Sequence, residues 1–185
     1  MTKIDGGNLR KIAGPATGAV YVEVSPRGDT IVFGSGSGRE MFSAPLGSSG
    51  GATVATLPGT AIDGKYFAPT AWSPDGERLA GILNSASGRP SGVATYDLAA
   101  HTTTMISTDE TFGTRFLADS RRVVYFTKNG GQLTVVDSVT RARTVVDVRL
   151  PGPATTDVFA ISPDNRTIYY GATRAEADIW IVGRK

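Results

Sequence analysis

The sequence contains no cysteine and a single histidine, His101, among its 185 residues. Disulfide bridges, thiolate metal sites and centres built from several histidines are therefore excluded for this chain. The lack of cysteine is compatible with an oxidising or a reducing compartment. His101 lies in a polar segment beside Thr102, and no Gly-x-Ser-x-Gly elbow accompanies it. We therefore expect a solvated turn residue at His101 and no acyl-transfer enzyme.

Long apolar runs and a strong charge of one sign are missing as well. No apolar run approaches the ~20 residues that span a bilayer, and residues 2–7 form no apolar signal core. The 19 lysines and arginines exceed the 17 acidic residues by two, and the basic residues are scattered. We expect no membrane span, no nucleic-acid-binding stripe and no export signal in the sequence as given. The compartment stays open.

Four stretches of the chain repeat one pattern, an apolar run followed by a tight polar turn and a β-rich run. The turns read Ser25-Pro26-Arg27-Gly28, Ser73-Pro74-Asp75-Gly76, Leu117-Ala118-Asp119-Ser120 and Ser162-Pro163-Asp164-Asn165. Their first residues are 48, 44 and 45 positions apart. A period of about 40 to 50 residues is typical of arrays in which each repeat is one supersecondary unit. Proline and glycine favour the torsions of a tight turn, so each pattern predicts a β-hairpin.

Each repeat has room for four antiparallel strands. In the second repeat, residues 66–73, 77–83, 93–98 and 102–107 are rich in strand-forming residues and are separated by turns and loops. Equivalent third and fourth strands are predicted at 41–46, 53–57, 133–138, 143–147 and, for the last repeat, a third strand alone at 178–182. A four-stranded antiparallel sheet repeated at this length predicts an all-β protein, a β-propeller.

The predicted repeat units form a single propeller domain over residues 1–185. They cover approximately residues 14–57, 58–108, 109–148 and 149–185. The last unit lacks a fourth strand, and a separate strand at 8–13 is expected to complete that blade and so hide two open sheet edges. Three assemblies satisfy this arrangement: a closed ring of four blades, an eight-bladed ring of two chains, and part of a larger propeller.

The amino-acid sequence of the repeats also resembles that of a known family. The segments that resemble it most clearly are Trp72-Ser73-Pro74-Asp75-Gly76-Glu77-Arg78-Leu79-Ala80, the stretch from Ile161 to Tyr169, and Ala177-Asp178-Ile179-Trp180-Ile181-Val182. These segments resemble the WD-like repeats of TolB-type β-propellers. The resemblance implies a scaffold or sensing module, often part of a larger bacterial protein, and in a bacterium the compartment would be the periplasm or the cytoplasm.

One face of the predicted propeller is the candidate binding surface. The loops between second and third strands gather there with the connections between blades, and propellers usually bind on that face. Arginine, tyrosine and charges of both signs suit the recognition of a protein or peptide, although an ordinary hydrophilic rim is the alternative. The candidate residues are Arg39, Glu40, Lys65, Tyr66, Arg89, Arg115, Lys128, Arg174 and Glu176.

Three short motifs are expected to be turns or loops rather than ligand sites. Arg27-Gly28-Asp29 falls in the first hairpin turn, and Asn165-Arg166-Thr167 falls in the fourth. The glycine-rich segment 34–38 lacks the Lys-Ser/Thr of a phosphate loop and precedes a strand. The large apolar side chains of Trp72 and Trp180 are expected to fill wedges between blades.

The leading functional prediction is a non-catalytic propeller that holds a protein or peptide, with no metal or cofactor. One alternative is the propeller accessory domain of a larger enzyme, such as a prolyl-oligopeptidase-like peptidase. Another is a minimal or engineered repeat propeller without a native partner, which includes a homodimeric eight-bladed ring. Fold alone does not separate these readings, because function belongs to the sites that a fold carries.

Overall fold

The computed structural model describes residues 18–35, 38–46, 53–128, 132–148 and 154–172. The described residues form fifteen β-strands and no helix, which confirms the predicted all-β class. No membrane-spanning helix is found in this part of the chain. The predicted strands at 8–13 and 178–182 lie outside the described residues, as do Trp180, Arg174 and Glu176.

The strands form four antiparallel sheets, called blades 1 to 4 in chain order. Blade 1 contains β1 (Ala19–Val24), β2 (Thr30–Ser35), β3 (Met41–Pro45) and β4 (Ala55–Leu57). Blade 2 contains β5 (Ala61–Ile62), β6 (Lys65–Trp72), β7 (Arg78–Asn84), β8 (Pro90–Asp97) and β9 (Thr102–Ser107). Blade 3 contains β10 (Thr114–Phe116), β11 (Arg122–Phe126), β12 (Leu133–Asp137) and β13 (Arg143–Val146). The described part of blade 4 contains β14 (Ala154–Ile161) and β15 (Ile168–Ala172).

Strand order within each sheet follows chain order, so each blade is an antiparallel meander. Blades 1 and 3 have the predicted four strands, blade 2 has these and one more, and the strand limits agree closely with those expected from the sequence. The short strand β5 was not predicted. It pairs with β6 across a two-residue turn in which Asp63 and Gly64 have φ values of 50° and 70°. This is the hairpin geometry that Asp-Gly favours.

All four predicted hairpin turns follow the same backbone path. The fourth residue of each turn has a positive φ: 70° at Gly28, 81° at Gly76, 55° at Ser120 and 59° at Asn165. Its amide donates to the carbonyl three residues earlier at 2.8–3.1 Å. The third turn therefore keeps the geometry although it has lost both proline and glycine. The carboxylate of Asp119 supports it by accepting hydrogen bonds from two amides, at 3.0 and 2.9 Å.

A serine and an aspartate close each of the other three turns. In the second turn the Ser73 hydroxyl donates to Asp75 at 2.5 Å and accepts from the Arg78 amide at 2.9 Å. In the first turn, where Arg27 replaces the usual acid, the Ser25 hydroxyl donates to Asp29 at 2.7 Å instead. The same hydrogen bond lowers the pKa of Asp29. The Arg27-Gly28-Asp29 motif is thus a hairpin turn, as predicted.

Two of these turns are joined to the turn of the preceding blade. The Ser120 hydroxyl accepts from the Asp75 amide at 3.0 Å, and Asn165 Oδ1 accepts from the Ala118 amide at 3.1 Å. A non-glycine residue costs about 1–2 kcal/mol in the left-handed region, and only glycine and, less often, asparagine or aspartate adopt it readily. The side chains of Ser120 and Asn165 offset part of this cost, because each supplies a hydrogen-bond acceptor that glycine lacks.

The core lies between blades, not within them. One apolar cluster combines Val32 and Met41 of blade 1 with residues of blade 2 such as Leu79. A second cluster joins blades 2 and 3, and a third joins blades 3 and 4. Trp72 packs against the first cluster, which confirms its predicted place between blades.

The asparagine link between blades 3 and 4 can be tested by substitution. Asn165→Ala removes the acceptor and leaves alanine in the left-handed region, so we expect a loss of about 1–2 kcal/mol in unfolding free energy. Asn165→Gly removes the same acceptor but relieves the backbone, so its loss should be smaller, about 0.5–1 kcal/mol. Urea denaturation of the wild type and the two variants measures both losses of unfolding free energy. An alanine variant as stable as the wild type would show that the link between the turns contributes nothing.

Candidate functional site

The structure describes seven of the nine predicted binding residues, and it brings two of them together. The Arg39 guanidinium carbon lies 5.5 Å from the centre of the Tyr66 ring, a cation–π distance. Arg39 belongs to the β2–β3 loop of blade 1, whereas Tyr66 lies at the start of β6 in blade 2. The predicted gathering of these segments on one face is therefore observed here.

Arg39 and Tyr66 line a cleft of about 200 Å³ between blades 1 and 2, which we call the loop-face cleft. Its walls come from four segments: the start of β1, the loop before β3, the start of β6, and the end of β7 with the loop that follows it. The other lining residues are Val20, Tyr21, Gly38, Asn84, Ser85, Ala86 and Gly88. Apolar and polar groups thus face the same small volume.

Asn84 is the polar residue that sequence reasoning missed. It is only 8% exposed and lines the cleft at the end of β7. Its side-chain amide can both donate and accept hydrogen bonds, so it can pair with a polar group that enters the cleft. The sequence offers no signal for this, since Asn84 follows the predicted strand 77–83 as the first residue of a loop.

Tyr21 lies on the opposite wall in an unusual backbone conformation. Its φ of 54° falls in the left-handed region, and the pairing of β1 with β2 is irregular between Val20 and Glu23. Gly34 on β2 faces this irregularity. A Cβ atom there would lie 3.3 Å from the Val20 carbonyl oxygen and 3.6 Å from the Tyr21 ring. Strain of this kind, about 1–3 kcal/mol, is found most often at functional sites.

A second polar cluster lies where the blade 2–blade 3 connection meets the β11–β12 loop, and we call it the Asp109 groove. The Tyr125 hydroxyl donates to Asp109 Oδ2 at 2.7 Å and lies 3.0 Å from the Ser107 hydroxyl. Arg143 Nη2 lies 2.9 Å from the same Asp109 oxygen. Burial raises the pKa of Tyr125 to about 12, and the negative charge of Asp109 acts in the same direction.

Lys128, a predicted binding residue, borders this groove and is engaged within the protein. Its Nζ lies 3.2 Å from Glu110 and 5.3 Å from the centre of the Phe112 ring. Asp109 is paired with Arg143 in the same way. Both pairs are partly exposed, so each contributes little stability. The Asp109 groove therefore presents charges that already have partners.

Arg115, another predicted binding residue, contacts neighbouring blades and does not line the loop-face cleft. It lies in β10, and its Nη1 donates to the Thr70 carbonyl at 2.6 Å. The guanidinium carbon lies 5.3 Å from the centre of the Phe159 ring of β14. Burial raises the pKa of Glu23 in β1, and the positive charge of Arg115 partly opposes that increase. Arg115 therefore connects the first strands of the blades.

The remaining predicted residues are dispersed around the cleft. Lys65 Nζ donates to the Ser91 carbonyl at 3.3 Å, and the amide of Glu40 donates to the Ser35 hydroxyl at 3.3 Å. Arg89 lies exposed in the β7–β8 loop, outside the cleft lining.

His101 is an exposed turn residue, as predicted, with a φ of 53°. Its Nδ1 lies 3.1 Å from the Tyr96 hydroxyl, which donates to the Pro58 carbonyl at 2.7 Å. Within the described ranges, no three histidine, aspartate or glutamate residues are placed to hold a metal ion.

Comparison with known proteins identifies the fold. No family model and no curated protein sequence matches the chain. TolB from Acinetobacter baumannii superposes with a TM-score of 0.67 at 18% identity, over 91% of this chain and 41% of that one. A putative TolB from Agrobacterium tumefaciens gives 0.60 at 15% identity, over 80% and 51%. Hydrazine synthase from Kuenenia stuttgartiensis gives 0.56 at 16% identity, over 82% and 49%.

These similarities show a TolB-type, WD-like β-propeller fold, which confirms at the level of fold the resemblance seen in the repeats. The WD40 repeats of RRP9 add a TM-score of 0.52 at 14% identity, over 73% of this chain and 40% of that one. The chain spans about two fifths to one half of the length of these structures. At such identities the likeness concerns the fold alone.

The raised pKa of the Tyr125 hydroxyl predicts that the stability of the protein depends on pH. The folded protein keeps its proton up to about pH 12, whereas in the unfolded chain the pKa returns to its ordinary value of 10.0. Wild-type stability should therefore fall as the pH rises from 10 to 12, and Tyr125→Phe should lack this part of the decline. Urea midpoints at pH 8, 10 and 11 measure it. An equal decline of the wild type and Tyr125→Phe would contradict the prediction.

Proposed function

We propose that this propeller is a non-catalytic binding module that holds a peptide segment of a protein partner in the loop-face cleft. The observation that carries the proposal is the lining of this cleft, in which Asn84, a residue only 8% exposed, lies with Arg39 and Tyr66. An asparagine side chain both donates and accepts, which is the pairing that a peptide group offers. A bound main chain would therefore pair with it.

The other walls of the cleft suit a particular kind of peptide. Arg39 brings a guanidinium group, which binds carboxylates with paired hydrogen bonds, and it stacks on Tyr66. Val20 and Tyr21 are 38% and 39% exposed and supply an apolar surface close by. Arginine and aromatic residues are also the usual anchors of protein interfaces. The ligand favoured by this arrangement is a segment that carries an acidic group next to an apolar side chain.

The size of the cleft agrees with a peptide side chain better than with a whole cofactor. Pockets for drug-sized molecules are commonly ~300–1,000 Å³, whereas this cleft has about 200 Å³. One or two side chains fill such a volume, and the rest of the partner would rest on the surrounding loops.

The accessory domain of an enzyme is the second candidate function. It is favoured by one observation, the superposition on part of hydrazine synthase, which is an enzyme. In that role the loop-face cleft would orient a peptide-like substrate or a neighbouring domain. The assignment of the cleft as a binding site is common to both functions.

Peptide selection tests the cleft directly. Panning a random phage-displayed library on the immobilised chain should enrich acidic peptides with a neighbouring apolar residue. Arg39→Ala and Asn84→Ala should each weaken their binding about tenfold or more, because each removes an anchor group from the cleft. Asn84→Asp should also weaken binding, since it places a negative charge opposite an acidic ligand. Fluorescence anisotropy with labelled peptides gives the dissociation constants.

Arg89→Ala is the matched control, because Arg89 lies on the same face but outside the cleft. Its affinity should stay within about twofold of wild type, as expected for an exposed residue at the edge of an interface. Failure to enrich any peptide, or wild-type affinity in both Arg39→Ala and Asn84→Ala, would refute the proposal.

A further inference from the structure

The repeat places one apolar residue at the same point in the second strand of every blade. Counted from the hairpin turn, these residues are Val32, Ala80, Val124 and Tyr169. The first three are 0%, 0% and 2% exposed, because each lies in an apolar cluster shared with the following blade. Tyr169 occupies the same position in blade 4 but is 62% exposed. Tyr169 thus has the position of a residue that is buried between blades, but it is not buried.

The first strand of every blade carries the complementary position. Trp72, Phe116 and Ile161 occupy it in blades 2, 3 and 4, and each packs into the cluster shared with the preceding blade. In blade 1 the equivalent residue is Val24, which is 48% exposed. Val22 on the same strand is 51% exposed. Blade 1 thus presents an apolar face of the type that a preceding blade covers.

Val24 and Tyr169 are therefore the two halves of one interface. The described chain builds this interface three times internally, and each time the two equivalent positions meet in a single cluster. What fits against Tyr169 is a blade face with the pattern of blade 1, and what fits against Val24 is a blade face with the pattern of blade 4. The chain itself carries both surfaces.

We propose that a second copy of this chain covers both faces, with blade 4 of each copy packed on blade 1 of the other. Such a head-to-tail contact closes into a ring when a twofold axis relates the copies. The chain spans 41% and 51% of the two TolB structures that share its fold, so one copy matches only part of such a structure. Large exposed apolar residues on both faces provide the driving force.

The oligomeric state of the 185-residue chain tests the proposal. Sedimentation over a range of concentrations should show a dimer of the 19.3 kDa chain. Val24→Lys and Tyr169→Glu should each give a monomer, because each places a charge in both interfaces of the ring. Val139→Glu is the matched control. Val139 is 64% exposed in the β12–β13 turn, away from the two faces, so this variant should stay dimeric.

Mixing the two monomeric variants distinguishes a specific interface from a general loss of folding. In a mixed dimer, one interface keeps both wild-type residues, while the other pairs the introduced lysine with the introduced glutamate. An equimolar mixture should therefore recover the dimer, and circular dichroism should show that each variant is folded.

Three results would overturn the proposal. One is a wild-type chain that stays monomeric, as expected if further blades of a longer polypeptide cover these faces. Another is an open series of larger oligomers. The third is a mixture that stays monomeric although both variants are folded.

Discussion

A single blade of this protein cannot bury its own two faces, and the rest of the structure depends on that constraint. The three apolar clusters each combine side chains from neighbouring blades, so the core exists only where two sheets meet. Fully burying a side chain such as Val32 or Leu79 contributes about 1.5–3 kcal/mol. This gain requires an adjacent blade, because the strands of one sheet lie side by side and do not cover each other. The exposed apolar residues at the two ends of the array follow from the same constraint.

The hairpin turns add a polar counterpart to the apolar contacts. Apolar packing is not directional, so it does not by itself fix how far one sheet slides along the next. Hydrogen bonds from Asp75 to Ser120 and from Ala118 to Asn165 join consecutive turns and thereby fix that position. Between blades 1 and 2 the equivalent residue is Gly76, which has no side chain to act as an acceptor. The backbone strain at Ser120 and Asn165 is thus explained by a contact with the neighbouring blade.

Much of the fold could be predicted from the sequence because its signals are local. The turn chemistry of Ser-Pro-Asp-Gly and the alternation of the flanking strands depend on residues that are close in the chain. Contacts with neighbouring blades have no such local signal. Arg115 lies in a three-residue strand, where its guanidinium donates to the carbonyl of Thr70 in the preceding blade. The significance of Asn84 was hidden for the same reason, since the cleft that it lines exists only in the folded chain.

Strand β1 belongs to both proposed surfaces, and this links binding with assembly. Val20 and Tyr21 form a wall of the loop-face cleft, whereas Val22 and Val24 lie on the exposed face of blade 1. The irregular pairing with β2 between Val20 and Glu23 separates the two parts of the strand. A second copy packed on Val24 would hold β1 in place and reduce the ordering cost of peptide binding. Because such coupling is reciprocal, a bound peptide would favour the assembled ring by the same factor.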